Sequence, residues 1–178
     1  NETKQELKKD LKLNISGEDL TDEDLKGLSL SKGFTFTGYD VYGNTYGTPV
    51  TSDASGDAVF NNVPYDANNA PLIYYKQTAS DGEHEFDDTV KSFLKKYPNG
   101  TVVYLGCSLD TMYDRVDNGR VSWYNLDRSG KMALRKMYTR VGEREFNIEK
   151  SVDDISWMDD IKSDTGFGLL IVCRNIFV

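Results

Sequence analysis

Residues Leu28–Gly43 read LSLSKGFTFTGYDVYG, and apolar and polar side chains alternate along most of this stretch. An alternation with period two places Phe34 and Phe36 on one face of an extended chain, as in a strand that covers a core on one side. A helix would instead repeat its apolar residues at intervals of three and four. Glycine and aspartate at the end of the stretch predict a turn into the next strand.

Similar short strands recur along the chain, and turns of glycine, asparagine or aspartate separate them. The Asn118-Gly119 pair predicts a β-hairpin, because both residues favour the positive φ angles of a two-residue turn. One short helix is predicted with Ser151 as its N-cap. The pattern as a whole indicates an all-β sandwich or barrel. Predicted strands include 48–51, 58–61, 101–109, 132–141, 143–150 and 167–178.

Two of these strands need a further argument. Residues 132–141, MALRKMYTRV, could form a helix, but Met132, Leu134 and Met137 do not make one apolar stripe at helical spacing, so a strand is favoured. The closing run, FGLLIVCRNIFV, is apolar on both faces. We therefore expect it at the centre of its sheet.

Composition limits the classes of partner. The chain has 178 residues, 38% of them hydrophobic, and a formal net charge of -8. An acidic surface repels a nucleic-acid backbone, so no nucleic-acid partner is predicted. No apolar run is long enough for a membrane span, so no membrane insertion is expected. The partners expected are other proteins, further copies of this chain, or a cell-surface glycan or protein receptor.

The two cysteines, Cys107 and Cys173, are too few for a disulfide framework. Both lie in apolar stretches that predict buried strands. Two buried free thiols and one core disulfide both fit this pattern, and the sequence does not decide whether the two cysteines pair.

Four motifs within residues 28–93 carry a resemblance to a known family. They are FTFTGYDVYGN, TSDASGDAVF, NVPYD and the late YYKQTASDGEHEFDD. Together they resemble the B-type repeat of Gram-positive collagen adhesins, which also occurs in SpaA-type pilins and has the prealbumin-like fold. The resemblance implies a prealbumin-like (Ig-like) β-sandwich over 28–98. The Asn99-Gly100 turn is the predicted domain boundary, so a lead-in over 1–27 precedes the sandwich and a second small β-rich domain over 99–178 follows it.

The same resemblance implies a cross-link chemistry. In many such domains a strand lysine and a strand asparagine form an isopeptide bond, and a buried acid exchanges the protons. Gln77 stands where the family has that acid, and an amide cannot exchange protons as a carboxyl group does. Lys12 and Lys32 remain as strand lysines. We expect the scaffold to be kept and the cross-link to be lost.

The other groups of reactive side chains fit solvated or buried positions better than a catalytic or metal site. His84 lies among acids from Asp81 to Asp88, but one histidine and irregular spacing fit neither a zinc site nor a calcium loop. The pairs Asp153-Asp154 and Asp159-Asp160 fit solvated acids. No residue is therefore predicted to be catalytic, cofactor-binding or metal-ligating, and no cofactor is predicted. Five aromatic residues could form a platform for sugars, but core or interface packing is favoured for them: Tyr113, Trp123, Tyr124, Tyr138 and Trp157.

These observations predict a non-enzymatic, extracellular structural or adhesive module of a bacterial surface protein or appendage. The alternative is a structural protein of a phage virion, such as a tail-fibre, decoration or baseplate component. A glycosidase on a β-scaffold, with Asp154 and Asp160 as its carboxyl pair, is a third and less favoured class. The predicted location is accordingly the bacterial surface or the virion.

Overall fold

A computed structural model describes residues 7–14, 33–54, 56–80 and 85–173. The fold is β-rich, with about 40% strand and 25% helix. The chain divides into two compact units. Unit 1 comprises Asn1–Asp81 with Met137–Thr139, and unit 2 comprises Gly82–Lys136 with Arg140–Val178. Each unit is described separately.

Unit 1 consists of antiparallel strands in two sheets. In the first sheet β1 (Leu7–Asn14) pairs with β4 (Asp57–Tyr65). In the second, β2 (Phe34–Tyr39) lies between β3 (Thr45–Thr51) and β5 (Tyr74–Ser80). The alternation that predicted β2, and the strands predicted at 48–51 and 58–61, are confirmed.

The two sheets of unit 1 meet through their apolar side chains. Phe36 is 1% exposed, as the period-two pattern requires of an inward-facing residue. The rings of Phe60 in β4 and Tyr75 in β5 lie with their centroids 4.2 Å apart. This contact therefore joins a strand of one sheet to a strand of the other, and other side chains extend the core: Leu11, Leu13, Phe34, Ala58, Val63 and Ile73.

Three turns of unit 1 share one hydrogen-bond pattern, and each begins at an aspartate. The amide of Asp40 donates to the carbonyl four residues later at 2.8 Å, and the amide three residues later donates back to the Asp40 carbonyl at 3.1 Å. Asp53 and Asp66 repeat both bonds. In each turn the aspartate side chain also accepts the amide four residues later. The third residue after each aspartate has a positive φ: Gly43 (86°), Gly56 (80°) and Asn69 (62°).

Unit 2 alternates strands with helices. The helices are α1 (Glu85–Lys96), α2 (Met112–Val116) and α3 (Ser129–Tyr138). The strands are β6 (Thr101–Leu105), β7 (Ser122–Asp127), β8 (Glu145–Glu149) and β9 (Leu169–Cys173). Two short 3-10 helices, Ile155–Asp160 and Thr165–Phe167, lie between β8 and β9.

The four strands of unit 2 form one parallel sheet in the order β8-β7-β6-β9. The chain therefore places β7 beside β6 and β8 beside β7, and β9 then pairs with the other side of β6. Residues of α1, α2 and α3 pack with Trp123 on one face of the sheet. Trp157 of the first 3-10 helix packs against the opposite face with Val103 and Leu126. A parallel sheet with connections on both faces is a doubly wound arrangement.

The structure corrects several expectations for residues 99–178. This part is not all-β, because residues 129–138 are helical where a strand was predicted. One buried polar side chain, Arg135, interrupts the apolar stripe of that helix and hides its helical spacing. Asn118-Gly119 does form a turn, but the turn leads from α2 into β7, and β6 and β7 are parallel, so no hairpin exists there.

Two further corrections concern the end of unit 2. Asp154, and not Ser151, caps the helix in this region, which is a 3-10 helix from Ile155 to Asp160. Among the described strands β9 lies at the edge of the sheet and not at its centre. In the described part of the chain, no helix combines the length and the apolar character that a membrane crossing needs.

Gly43→Ala tests the aspartate turns. A β-carbon at Gly43 would meet only the Tyr74 hydroxyl at 3.9 Å, so the cost comes from its φ of 86°. We expect a loss of about 1–2 kcal/mol in the free energy of unfolding, measured with urea. Gly130→Ala is the control, since Gly130 is helical and faces open space. Unchanged stability in Gly43→Ala would contradict the role of the turn.

Candidate functional site

The candidate site lies at the carboxyl ends of the parallel strands of unit 2. Strand β6 ends at Leu105 and continues into the loop Gly106–Asp110, while β7 ends at Asp127. The strand order reverses between β6 and β9, because the chain runs from β6 towards β8 and then returns to β9. In open α/β sheets, ligands bind outside the carboxyl ends of the strands at such a reversal.

Ser108 has an unusual backbone conformation in this loop. Its φ of 45° lies in the left-handed region, which costs a non-glycine residue about 1–2 kcal/mol. The Ser108 amide donates to Asp127 Oδ2 at 2.9 Å. Asp127 Oδ1 accepts the Arg128 amide at 2.8 Å. The carboxylate that ends β7 therefore holds the loop that follows β6.

The loop has one of the three glycines of a nucleotide-binding turn. Such turns carry glycines at the first, third and sixth positions after the strand. Here these positions are Gly106, Ser108 and Thr111. Gly106 has a φ of 69° and meets the first requirement, and Ser108 adopts the positive φ that glycine usually supplies. Asp127 follows Gly106 by 21 residues, close to the separation at which an acid binds ribose hydroxyls in these folds.

Asp110 closes the loop within a network of charged side chains. Its carboxylate accepts the Tyr104 hydroxyl at 2.9 Å and Arg115 Nη1 at 2.8 Å. Arg115 also forms a bidentate pair with Asp87, with distances of 2.7 and 3.0 Å. Burial disfavours the Arg115 cation, but the two carboxylates outweigh this effect and raise its pKa. The network therefore holds the end of the loop against α1 and α2.

A second arginine contacts the backbone of the same loop. Arg135 of α3 is 1% exposed, and its Nη1 donates to the carbonyl oxygens of Ser108 at 3.2 Å and Asp110 at 2.5 Å. Its Nη2 donates to Glu145 Oε1 at 3.0 Å. Asn125 Nδ2 donates to the same Glu145 oxygen at 2.6 Å. Burial disfavours the Arg135 cation, but neighbouring charges, Glu145 among them, raise its pKa.

Cys107 lies inside the loop but does not have the properties of a nucleophile. It is 1% exposed and is a free thiol, as is Cys173, so the two cysteines do not pair. Burial raises the pKa of Cys107 to about 12. Because the thiolate is the reactive form, this thiol is inert near neutral pH.

The structure does not assemble the other groups weighed from the sequence. Trp123, Tyr113, Tyr124 and Trp157 are all buried, so they form core and not a sugar platform. His84, Asp81 and Lys32 lie outside the described residues. The described residues contain no group of three or more histidine, cysteine, aspartate or glutamate side chains placed to hold a metal ion.

The carboxyl pair considered for a glycosidase has structural partners instead. Asp154 Oδ1 accepts the Ser156 amide. Hydrogen bonds from the side chain and the backbone of Ser156 lower the pKa of Asp154. A general acid would need a raised pKa. Asp160 pairs with Lys150 at 2.6 Å.

Two residues of unit 1 were considered for the isopeptide cross-link, and they differ in exposure. The side chain of Lys12 is 59% exposed and contacts Asp57, whereas Gln77 is 4% exposed.

Sequence reasoning missed Asp127, Ser108 and Arg135. A usable signal existed, since an apolar run ends in Gly106 and the next apolar run ends in an acid 21 residues later. The signal was weak because only one of three glycines is present. No protein-family model, curated protein or solved structure matches this chain.

Thiol labelling tests the burial of Cys107. At pH 8 a disulfide reagent should react with Cys173, which is exposed, and leave Cys107 unmodified until the protein is unfolded. Cys173→Ser should abolish the labelling of the native protein, and Cys107→Ser should leave it unchanged. Rapid labelling of Cys107 in the native state would show that the loop opens.

Proposed function

We propose that unit 2 binds a nucleoside, with the ribose hydroxyls on Asp127 and the rest of the ligand over the loop Gly106–Asp110. The observation that carries the proposal is the bond between Asp127 Oδ2 and the Ser108 amide. It places an acid at the end of β7 beside the left-handed turn that follows β6, and β6 is one of the two strands at the reversal of the strand order. In nucleotide-binding α/β sheets the turn after the first strand lies at such a reversal, and an acid about 20 residues further on binds the ribose.

The Asp127 carboxylate has acceptor capacity for a ribose. A carboxylate offers about four lone-pair sites, and the backbone amides of Ser108 and Arg128 use two of them. A vicinal diol can donate two hydrogen bonds to one carboxylate, and bonds to a charged acceptor are about twice as strong as neutral ones. Asp127 is 6% exposed, so only a small part of the residue is open to a ligand.

Charge indicates that the nucleoside carries no phosphate. Asp110, Asp127, Arg115 and Arg135 belong to the loop or contact it, and Asp87 and Glu145 anchor the two arginines. These six side chains carry a net charge of -2. Helix α2, which follows the loop, has only five residues and an aspartate in its first turn. A long helix with a free N-terminus is what usually holds a pyrophosphate here. Neutral and cationic nucleosides fit this site better than nucleotides.

Calorimetry with the whole chain tests the ligand class. The probes are adenosine and uridine, their 5′-monophosphates, NAD⁺, and S-adenosylmethionine as a cationic nucleoside. We expect a phosphate-free probe to bind at least tenfold more tightly than its phosphorylated counterpart. A nucleoside and its 2′,3′-dideoxy form make a matched pair, and equal affinity for the two would refute the ribose assignment. Absence of binding by every probe would refute the function.

Asp127→Asn tests the acid directly. The amide keeps the shape of the side chain, but it loses the charged acceptor for the diol and one of the two oxygens that accept the Ser108 and Arg128 amides. We expect about a tenfold or greater rise in the dissociation constant, measured by calorimetry. Asp153→Asn is the control, because it removes one exposed acid of the same unit outside the loop. Equal losses in the two variants would show a general charge effect and not a ribose contact.

We also propose a structural role for unit 1, as a prealbumin-like spacer in an extracellular assembly. Its two antiparallel sheets, the ring contact between Phe60 and Tyr75, and three aspartate turns support this second candidate. Such an assembly is either a bacterial surface protein or a virion, and light scattering after size-exclusion chromatography distinguishes the two. A monomer is expected for a spacer of a surface protein, and a closed multimer for a virion component.

A further inference from the structure

Ser108 is held by charged groups on both sides. Its amide donates to Asp127 Oδ2 at 2.9 Å, and its carbonyl accepts Arg135 Nη1 at 3.2 Å. The same guanidinium nitrogen donates to the Asp110 carbonyl at 2.5 Å. Arg135 therefore bridges two carbonyl oxygens of the loop, and Asp127 at the end of β7 accepts the Ser108 amide.

Arg135 is itself fixed by the body of unit 2. It belongs to α3, and its Nη2 donates to Glu145 Oε1 at the start of β8. Glu145 is fixed in turn, since its Oε1 accepts Asn125 Nδ2 at 2.6 Å and its Oε2 accepts the Gly142 amide at 2.8 Å. Because these contacts already fix the Arg135 side chain, its hydrogen bonds to the loop cost little additional side-chain entropy.

We propose that Arg135 is a positioning residue of the nucleoside site. It holds Ser108 in the left-handed conformation, and through Ser108 it sets the place of the loop relative to Asp127. This role rests on the proposed function. A serine does not prefer a φ of 45°, so without the bond to its carbonyl the loop relaxes and Asp127 loses the amide that orients it. Arg135 acts through the loop and touches no ligand.

Arg135→Lys provides the test, because lysine keeps the charge beside Glu145 but offers one nitrogen in place of a fork. We expect the dissociation constant of the tightest nucleoside probe to rise about tenfold. Hydrogen exchange at the Ser108 amide should become at least about tenfold faster, while exchange in β7 stays unchanged. Unchanged affinity and unchanged exchange would overturn the proposal.

Rescue distinguishes positioning from loss of stability. Glycine adopts a positive φ without strain, so adding Ser108→Gly to Arg135→Lys should restore most of the lost affinity. Arg115→Lys is the matched control, since Arg115 contacts the carboxylates of Asp87 and Asp110 and not the loop carbonyls. There Ser108→Gly should restore nothing, and equal rescue in both backgrounds would overturn the proposal.

A second variant covers the case in which Arg135→Lys does not fold. Glu145→Gln weakens the anchor of Arg135 and leaves its fork intact, so nucleoside affinity should fall about threefold with faster exchange at Ser108. Unchanged exchange in this variant would overturn the proposal. If the unmodified chain binds no nucleoside, the proposed function fails, whereas exchange at Ser108 in these variants still decides the positioning role.

Discussion

The left-handed conformation of Ser108 is the constraint on which the organisation of unit 2 depends. The residue follows β6, its amide contacts the end of β7 at Asp127, and its carbonyl contacts α3 at Arg135. One peptide segment therefore links the two central strands to the helix that follows them. A glycine would adopt this φ without cost, whereas a serine needs partners that repay the strain.

The charged side chains around this segment form two connected groups. Arg115 links Asp87 of α1 to Asp110 of the loop, and Arg135 links the loop carbonyls to Glu145 of β8. Burial disfavours both cations, but neighbouring groups outweigh this effect and raise the pKa of each arginine. Such networks are costly unless every member has a partner. Both groups act on the loop after β6, the segment that we propose lies beneath the ligand.

Unit 1 solves a different problem, the closing of tight turns, with one repeated device. Each of its three aspartate turns combines a side-chain acceptor with a positive φ three residues later. All these bonds lie within five residues, so each turn forms from local sequence alone. This explains why the turns at Asp40 and Asp53, and the strands beside them, were predictable. The inward-facing side chains of Phe34 and Phe36 are then buried when the second sheet covers them.

The sequence by itself determined β2, β3 and β4 of unit 1, the turns at Asp40 and Asp53, and the apolar runs that become β6 to β9, but it placed β1 within the lead-in over 1–27. It could not determine that those four runs pair in parallel, because an apolar strand shows the same pattern in either pairing. It also could not identify the site. Asp127, Ser108 and Arg135 are ordinary polar residues until the crossovers bring them together, and α3 was hidden because a buried arginine has no place in an apolar stripe. Only the tertiary structure supplies the carbonyls and the carboxylate that allow this charge to be buried.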